Sequence, residues 1–212
     1  LKPDAPPIRL LIVDDHPVVR IGLSSMLNMR GKILVVAAVA SGKEAICFLD
    51  QSNVDIVLLD LRMPEMNGIE TLKAICKRPF PPPVIVLSSF EFDEEIYQAV
   101  EAGAQGYLLK DMTVENIFLA IQRVNAGGTF FPTRITDRLD ERKHRRDLST
   151  RELEILSLLT KGLTNKEIGG ALSISQFTVR NHIKHIAAKL DASDRTEAAF
   201  IAIQSGIIAV SH

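Results

Sequence analysis

The sequence predicts an α/β chain: a doubly wound parallel sheet of five strands, followed by an all-α segment. Three observations carry this. Short apolar, β-branched runs alternate with helical patterns over residues 8–125, as strands joined by crossover helices do. The alternation stops at Gly127-Gly128, and from Ser149 onward every segment has helical spacing. The charge changes at the same place: residues 1–126 hold 12 Lys+Arg against 16 Asp+Glu, and residues 127–212 hold 13 against 10. An acidic front and a basic back point to two domains with different partners.

The elements follow in order. Ile8–Val13 (IRLLIV) is the first strand, and Pro17 to Leu27 the first helix, with Val18, Ile21, Leu23 and Leu27 at mostly helical spacing. Ile33–Val39 is the second strand. Ser41-Gly42-Lys43-Glu44 is a capping box that opens the second helix, through Leu49. Val54–Leu59 is the third strand, ending abruptly at Asp60. Asn67 and Glu70, at box spacing, open the third helix. Residues 78–83 are proline-rich and form a loop before the fourth strand, Val84–Leu87. Asp93 caps a fourth helix to about Ala102, Gly106–Leu109 is the fifth strand, and Thr113 caps a fifth helix with Val114, Ile117, Ile121 and Val124 on one face. The flavodoxin-like strand order 2-1-3-4-5 is the common solution at this size, and it sets the ends of strands 1 and 3 together at a topological switch point. Residues 127–147 read as a linker, highly charged over 134–147 and with a helical segment at most. Its cluster Arg142, Lys143, His144, Arg145, Arg146 fits a solvated tether better than a phosphate contact. Four helices fill residues 148–212.

With 46% hydrophobic and 24% charged residues over 212 positions, the composition is ordinary for a globular protein. No run approaches the ~18 apolar residues of a membrane span, and no signal-peptide pattern opens the chain. It starts at Leu1 rather than Met, as a trimmed N-terminus would. Cys47 and Cys76 read as reduced, buried thiols. The expected location is the cytoplasm.

Taken alone, Asp60 is an ordinary strand-end turn residue. Its company changes that. Asp14 and Asp15 end strand 1 as Asp60 ends strand 3, so three carboxylates converge. Bare, they would repel and raise one another's pKa. A hard divalent cation, Mg²⁺ or Mn²⁺, relieves this with oxygen ligands and keeps positions for water and a phosphate. Ser88 ends strand 4 and Lys110 ends strand 5, a hydroxyl and an ammonium suited to phosphoryl oxygens. No histidine, cysteine or serine–base pair competes as nucleophile. His16 is read as a cap or packing group. A carboxylate can itself attack phosphorus, and Asp60 is the candidate.

Residues 8–125 resemble the receiver domain of bacterial two-component response regulators. The matching residues are Asp14-Asp15, Asp60 with Met63-Pro64 and Gly68, Ser88, and Gly106-Tyr107-Leu108-Leu109-Lys110; the Ser88-to-Lys110 interval of 22 also fits. The resemblance implies phosphorylation of Asp60 by a sensor histidine kinase. It also implies Mg²⁺ held by Asp15, Asp60 and the backbone carbonyl of Arg62, with Asp14 acting mainly through water. Tyr107 matches the family's switch aromatic, turning into space that Ser88 leaves on phosphorylation. Without the family it is a half-buried strand aromatic. Asp111 stands where many receivers have a proline in a cis bond, so a trans peptide is expected here. Arg62 and Phe90 flank the pocket and are expected to tune dephosphorylation.

In the C-terminal segment, Ser149–Glu152 and Thr164–Glu167 are capping boxes. Leu153, Leu156 and Leu159 step by three along the first of these helices. Ser173-Ile174 is a tight turn between two short helices, the helix-turn-helix arrangement that sets its second helix in the major groove. Val179, Ile183, Ile186 and Leu190 form a buried stripe on that helix; the opposite face carries Gln176, Arg180, Asn181, Lys184 and His185. Arg and Asn suit guanine and adenine edges. Residues 148–208 resemble the LuxR-type DNA-binding domain of NarL/FixJ regulators, on Leu148–Glu152, Gly162–Ile168, Ile174-Ser175, Thr178–Ile183 and Lys189-Leu190. The resemblance implies base reading by Arg180, Asn181 and Lys184, and backbone contacts by Thr164, Asn165, Lys166 and Thr178. It also implies a last helix that dimerises on phosphorylation. Promoter DNA, the kinase and RNA polymerase are the expected partners. Gly169-Gly170 departs from the family pattern and should soften its helix by about 1 kcal/mol per glycine.

The expected function is therefore a phosphorylation-controlled transcription factor, not an enzyme beyond hydrolysis of its own acyl phosphate. Two rivals stand beside it. A small Mg²⁺-dependent phosphatase would leave the helix-turn-helix without a role. A phosphorylation-independent regulator would leave the acidic set without one.

Overall fold

The computed structural model describes residues 6–143, 145 and 147–208. Five strands, β1 (Ile8–Val13), β2 (Ile33–Val39), β3 (Ile56–Leu59), β4 (Val84–Ser88) and β5 (Gly106–Leu109), form one sheet of order β2-β1-β3-β4-β5. All four pairings are parallel, with Val13 opposite Leu59 and Ser88 opposite Leu109. Between them run α1 (Pro17–Asn28), α2 (Gly42–Gln51), α3 (Gly68–Cys76) and α4 (Asp93–Glu101), and α5 (Val114–Asn125) follows β5. Strands β3, β4 and β5 are buried throughout, as parallel strands covered on both faces must be. Leu10, Ile12, Leu58, Ile85 and Leu108 pack with Leu23 and Leu27 of α1 and with Ile117, Ile121 and Val124 of α5. Leu11, Val13, Val57 and Leu59 alternate with these and face the other way. The outer edge of β5 is covered after α5, where Phe130 O accepts from Tyr107 N at 3.0 Å.

Val18 and Ile21, Cys47 and the basic cluster differ from expectation. Val18 and Ile21 are exposed, at 82% and 69%; Leu23 and Leu27 reach the core, with Val19 packed against it. Spacing alone does not select between the two sides of a helix whose apolar residues exceed one face. Cys47 is exposed rather than buried. The 127–147 stretch contains a regular helix, α6 (Thr133–Lys143), with Ile135 fully buried. His144 and Arg146 lie outside the described residues. Arg142 is buried, its Nη2 2.7 Å from Asp147 Oδ1, so the cluster is not simply a solvated tether.

The chain forms two compact units; one boundary falls inside α6, between Thr136 and Asp137, and Phe92–Glu95 group with the second unit. The C-terminal unit holds α7 (Thr150–Thr160), α8 (Asn165–Leu172), α9 (Gln176–Leu190) and α10 (Arg195–Gln204). Ser149, Thr164, Ser175 and Asp194 are their N-caps, and the first two complete capping boxes with Glu152 and Glu167. The core takes Ile155, Leu156 and Leu159 from α7, Ile168 from α8, the α9 stripe as expected, and Ala198 and Ala202 from α10. Leu153 is exposed instead, because Ile155 completes a 3.6-residue period with Leu156 and Leu159 where the period of three drifts off the face.

The two glycines of α8 are not equivalent. A Cβ on Gly169 would sit 2.7 Å from Ile174 O, whereas Gly170 faces open space. Gly169 lets the turn close against α8, so the glycine is a packing requirement rather than a soft spot. Gly170→Ala should stabilise the C-terminal unit by about 1 kcal/mol, while Gly169→Ala should destabilise it. Thermal melts of the two variants check this, and equal shifts would refute it.

Candidate functional site

The carboxyl ends of β1, β3, β4 and β5 deliver Asp14, Asp60, Ser88 and Lys110 to one edge of the sheet, as expected. Parallel pairing does this: Asp60 N donates to Val13 O at 2.8 Å, and Lys110 N to Ser88 O at 2.8 Å. Asp14 and Asp60 are almost fully buried, at 2% and 3% exposure. Lys110 Nζ lies between them, 2.7 Å from Asp14 Oδ2 and 2.9 Å from Asp60 Oδ2. Burial pushes the Asp60 carboxyl above the ordinary carboxylate range; Lys110 pulls it back and Asp14 adds to the rise. Burial would lower the Lys110 pKa, but hydrogen bonds to the two carboxylates outweigh it and hold the ammonium above its usual value. The site is therefore a half-buried cation serving two buried acids.

Asp15 stands at the mouth, partly exposed. One ligand atom from each of Asp14, Asp15, His16 and Asp60 lies within 4.8 Å of the others. Carboxylate oxygens at that spacing are a hard donor set, suited to a hard divalent cation. The peptide of Arg62 lies beside the cluster, its N–H donating to Asp60 Oδ1 at 3.4 Å.

Ser88 is buried, and its Oγ accepts from Phe90 N at 3.1 Å. Tyr107 is fully buried rather than half-buried, and its hydroxyl donates to Phe90 O at 3.1 Å. The Phe90 backbone thus touches both, Ser88 through its N–H and Tyr107 through its carbonyl. Above it, the Arg62 guanidinium carbon stands 4.1 Å from the Phe90 ring centre, a cation–π contact at a partly exposed position. The Lys110–Asp111 peptide is trans, as expected, since no cis bond occurs among the described residues.

Two residues enlarge the sequence-read set. His16 makes no side-chain cap; its Nδ1 lies 2.7 Å from Asp15 Oδ1. Arg20 Nη1 donates to Asp14 O at 2.6 Å. Helix α1 carries Arg20 back over the end of β1, a fold that no local motif in the sequence signals.

In the C-terminal unit, Arg180, Asn181 and Lys184 are exposed on α9, opposite its buried stripe. Lys166 is exposed in the first turn of α8. The hydroxyls of Thr164 and Thr178 work within the caps, at 2.7 Å from Glu167 Oε2 and 2.8 Å from Ser175 Oγ. Asn165 Oδ1 accepts from Arg195 Nη1 at 3.2 Å, which ties α10 to the start of α8. Six of the seven residues therefore lie on α8 and α9 and Thr164 caps α8, and three of the seven already have partners.

Known proteins share both units. Residues 10–122 match the response regulator receiver domain, and residues 146–202 match the bacterial regulatory proteins of the luxR family. The transcriptional regulatory protein LiaR of Bacillus subtilis is 39% identical over 95% of this chain and 99% of its own length. LnrK of the same organism is 38% identical over 94% and 98%. The crystal structure of ChrA, a response regulator of a heme-sensing two-component system, is 37% identical with a TM-score of 0.57, covering 96% of this chain and 100% of that one. The chain belongs to the NarL/FixJ-type response regulators, transcription regulators that join a receiver domain to a LuxR-type DNA-binding domain.

Proposed function

We propose that Asp60 accepts a phosphoryl group from the phosphohistidine of a sensor kinase, and that its occupancy controls promoter binding by a dimer of this chain. The observation that carries the reading is Lys110 Nζ within 2.9 Å of a buried Asp60 carboxylate whose pKa burial raises. One Asp60 oxygen attacks phosphorus, the P–N bond breaks, and the imidazole leaves with a proton. Lys110 then exchanges one carboxylate oxygen for a phosphoryl oxygen, and the Ser88 hydroxyl donates to another. Asp14, Asp15, Asp60 and the Arg62 carbonyl are the residues that would hold Mg²⁺, which supplies charge neutralisation for the incoming phosphoryl group. Ser88 accepts from the Phe90 N–H and Tyr107 donates to the Phe90 carbonyl, so recruiting Ser88 moves the Phe90 backbone and alters the footing of the Tyr107 hydroxyl. The same site returns to rest by hydrolysis of the acyl phosphate, at a rate set by the Arg62–Phe90 pair at its mouth.

Arg180, Asn181 and Lys184 read bases in the major groove, while Lys166, with Thr164, Asn165 and Thr178, lies along the phosphates. Exposed residues of α10 supply the dimer contact. The protein acts on DNA in the cytoplasm, where it meets RNA polymerase.

The test is phosphorylation of the full chain with acetyl phosphate and Mg²⁺, read by intact mass, with footprinting of a regulated promoter. Wild type should gain one phosphoryl group and protect DNA at lower concentration; Asp60→Ala should do neither. Equal labelling of Asp60→Ala, or equal protection with and without the donor, would refute the proposal. In the same time course, Arg62→Ala and Phe90→Ala should change the lifetime of the acyl phosphate severalfold. Unchanged lifetimes would remove that pair from the reading.

A further inference from the structure

Phe177 is out of place on the surface of α9. It is 68% exposed and belongs to no part of the C-terminal core. Single exposed apolar residues are common and need no explanation; the position of this one is informative. It lies three, four and seven residues before Arg180, Asn181 and Lys184, and all four are exposed. That spacing puts them on one helical face, opposite Val179, Ile183, Ile186 and Leu190. Phe177 is the second residue of the helix, and the N-terminal turn is the part of a recognition helix that reaches base edges.

The turn is also firmly placed. The Ser175 side chain caps it by accepting from Thr178 N. Gly169 permits an approach so close that an added Cβ would meet Ile174 O at 2.7 Å and Gln176 N at 3.4 Å. The ring is therefore presented from a fixed backbone, on the same face as an arginine, an asparagine and a lysine. In the major groove, the apolar group displayed at base edges is the thymine 5-methyl.

We infer that Phe177 reads the 5-methyl group of a thymine in duplex DNA and sets sequence preference at that position. The inference rests on the reading of α9 as the groove-entering helix. Arg180 and Asn181 recognise purines by hydrogen bonds; Phe177 adds a contact that discriminates thymine from cytosine by shape and hydrophobicity.

The experiment uses the full chain with acetyl phosphate and a random pool of duplexes of about 30 base pairs, long enough for two half-sites. Wild type, Phe177→Ala and Arg180→Ala are compared on the duplex that wild type enriches. Each thymine is then replaced in turn by uracil, which exchanges the methyl for hydrogen and leaves every hydrogen-bonding group intact. At one thymine per half-site, uracil should weaken wild type by about 4-fold, the worth of one methyl-sized group removed from water. The same replacement should leave Phe177→Ala unaffected, and that variant should melt at the wild-type temperature. If no thymine shows a methyl effect that Phe177→Ala abolishes, the inference fails. Loss of affinity in Arg180→Ala alongside that result would confine the failure to Phe177. Wild-type affinity in Arg180→Ala would bring down the reading of α9 as well.

Discussion

Gly68→Ala will lower the stability of the receiver unit by about 3 kcal/mol, at the upper end of what overpacking costs. The reason is the loop that carries Asp60. A Cβ on Gly68 would sit 2.3 Å from Asp60 O and 2.4 Å from Leu61 Cα. These are backbone atoms, so no side-chain rotation relieves the overlap. Gly68 N also donates to Leu61 O at 2.8 Å, closing the loop between β3 and α3. Moving α3 away would break that bond. Moving the loop instead would displace the Asp60 peptide, and with it the carboxylate from Lys110. Urea denaturation should show a lower midpoint with little change in slope. A loss below about 1 kcal/mol, within the range of ordinary substitutions, would show that the loop adapts.

Lys110→Met is expected to cost at least as much, by an electrostatic route. It removes the cation from between two carboxylates that are almost fully buried. Removing one partner of a buried pair typically costs about 3–5 kcal/mol. The loss has a ceiling, because the pocket can take up a proton. Protonating one carboxyl of ordinary pKa at pH 7 costs about 4 kcal/mol, at about 1.4 kcal/mol per pH unit.

The sign of the pH dependence follows. Asp60 already titrates above the ordinary carboxylate range, chiefly through burial, and loss of Lys110 removes the main opposing influence. A carboxyl with a raised folded-state pKa contributes its full stability below the unfolded value and loses it as pH rises through the folded one. The deficit of the variant should therefore be small near pH 4 and grow towards pH 7. A divalent cation that binds the folded pocket should recover part of it by mass action. Denaturation at several pH values, with EDTA and with Mg²⁺, checks both statements. Wild-type stability at pH 7 in EDTA would refute the account of Lys110.

Much of this was legible from residue order. The strand order follows from short β-branched runs separated by helical ones, since parallel neighbours require right-handed crossovers. Once Asp14-Asp15, Asp60, Ser88 and Lys110 each end a strand, the sheet brings them to one edge without further information. Capping boxes marked the starts of α3, α7 and α8 because they are local hydrogen-bond patterns with fixed spacing.

Residue order alone specifies the architecture, the acidic pocket with its lysine, and the polar face of α9. Period and cap chemistry are properties of a few consecutive residues, and they survive whatever surrounds them. Only the tertiary structure decided which apolar residues face a partner element. Val18 and Ile21 have helical spacing but stand in solvent and Leu153 sits at the rim, while Ile155 and Ile135 are fully covered. It also decided that Tyr107 is wholly buried, that Arg20 and His16 join the pocket, and that Gly169 is required by the turn. Each of these depends on a distance between segments that are far apart in sequence or on opposite sides of a turn. Such distances are set when the whole unit packs, and no local pattern encodes them.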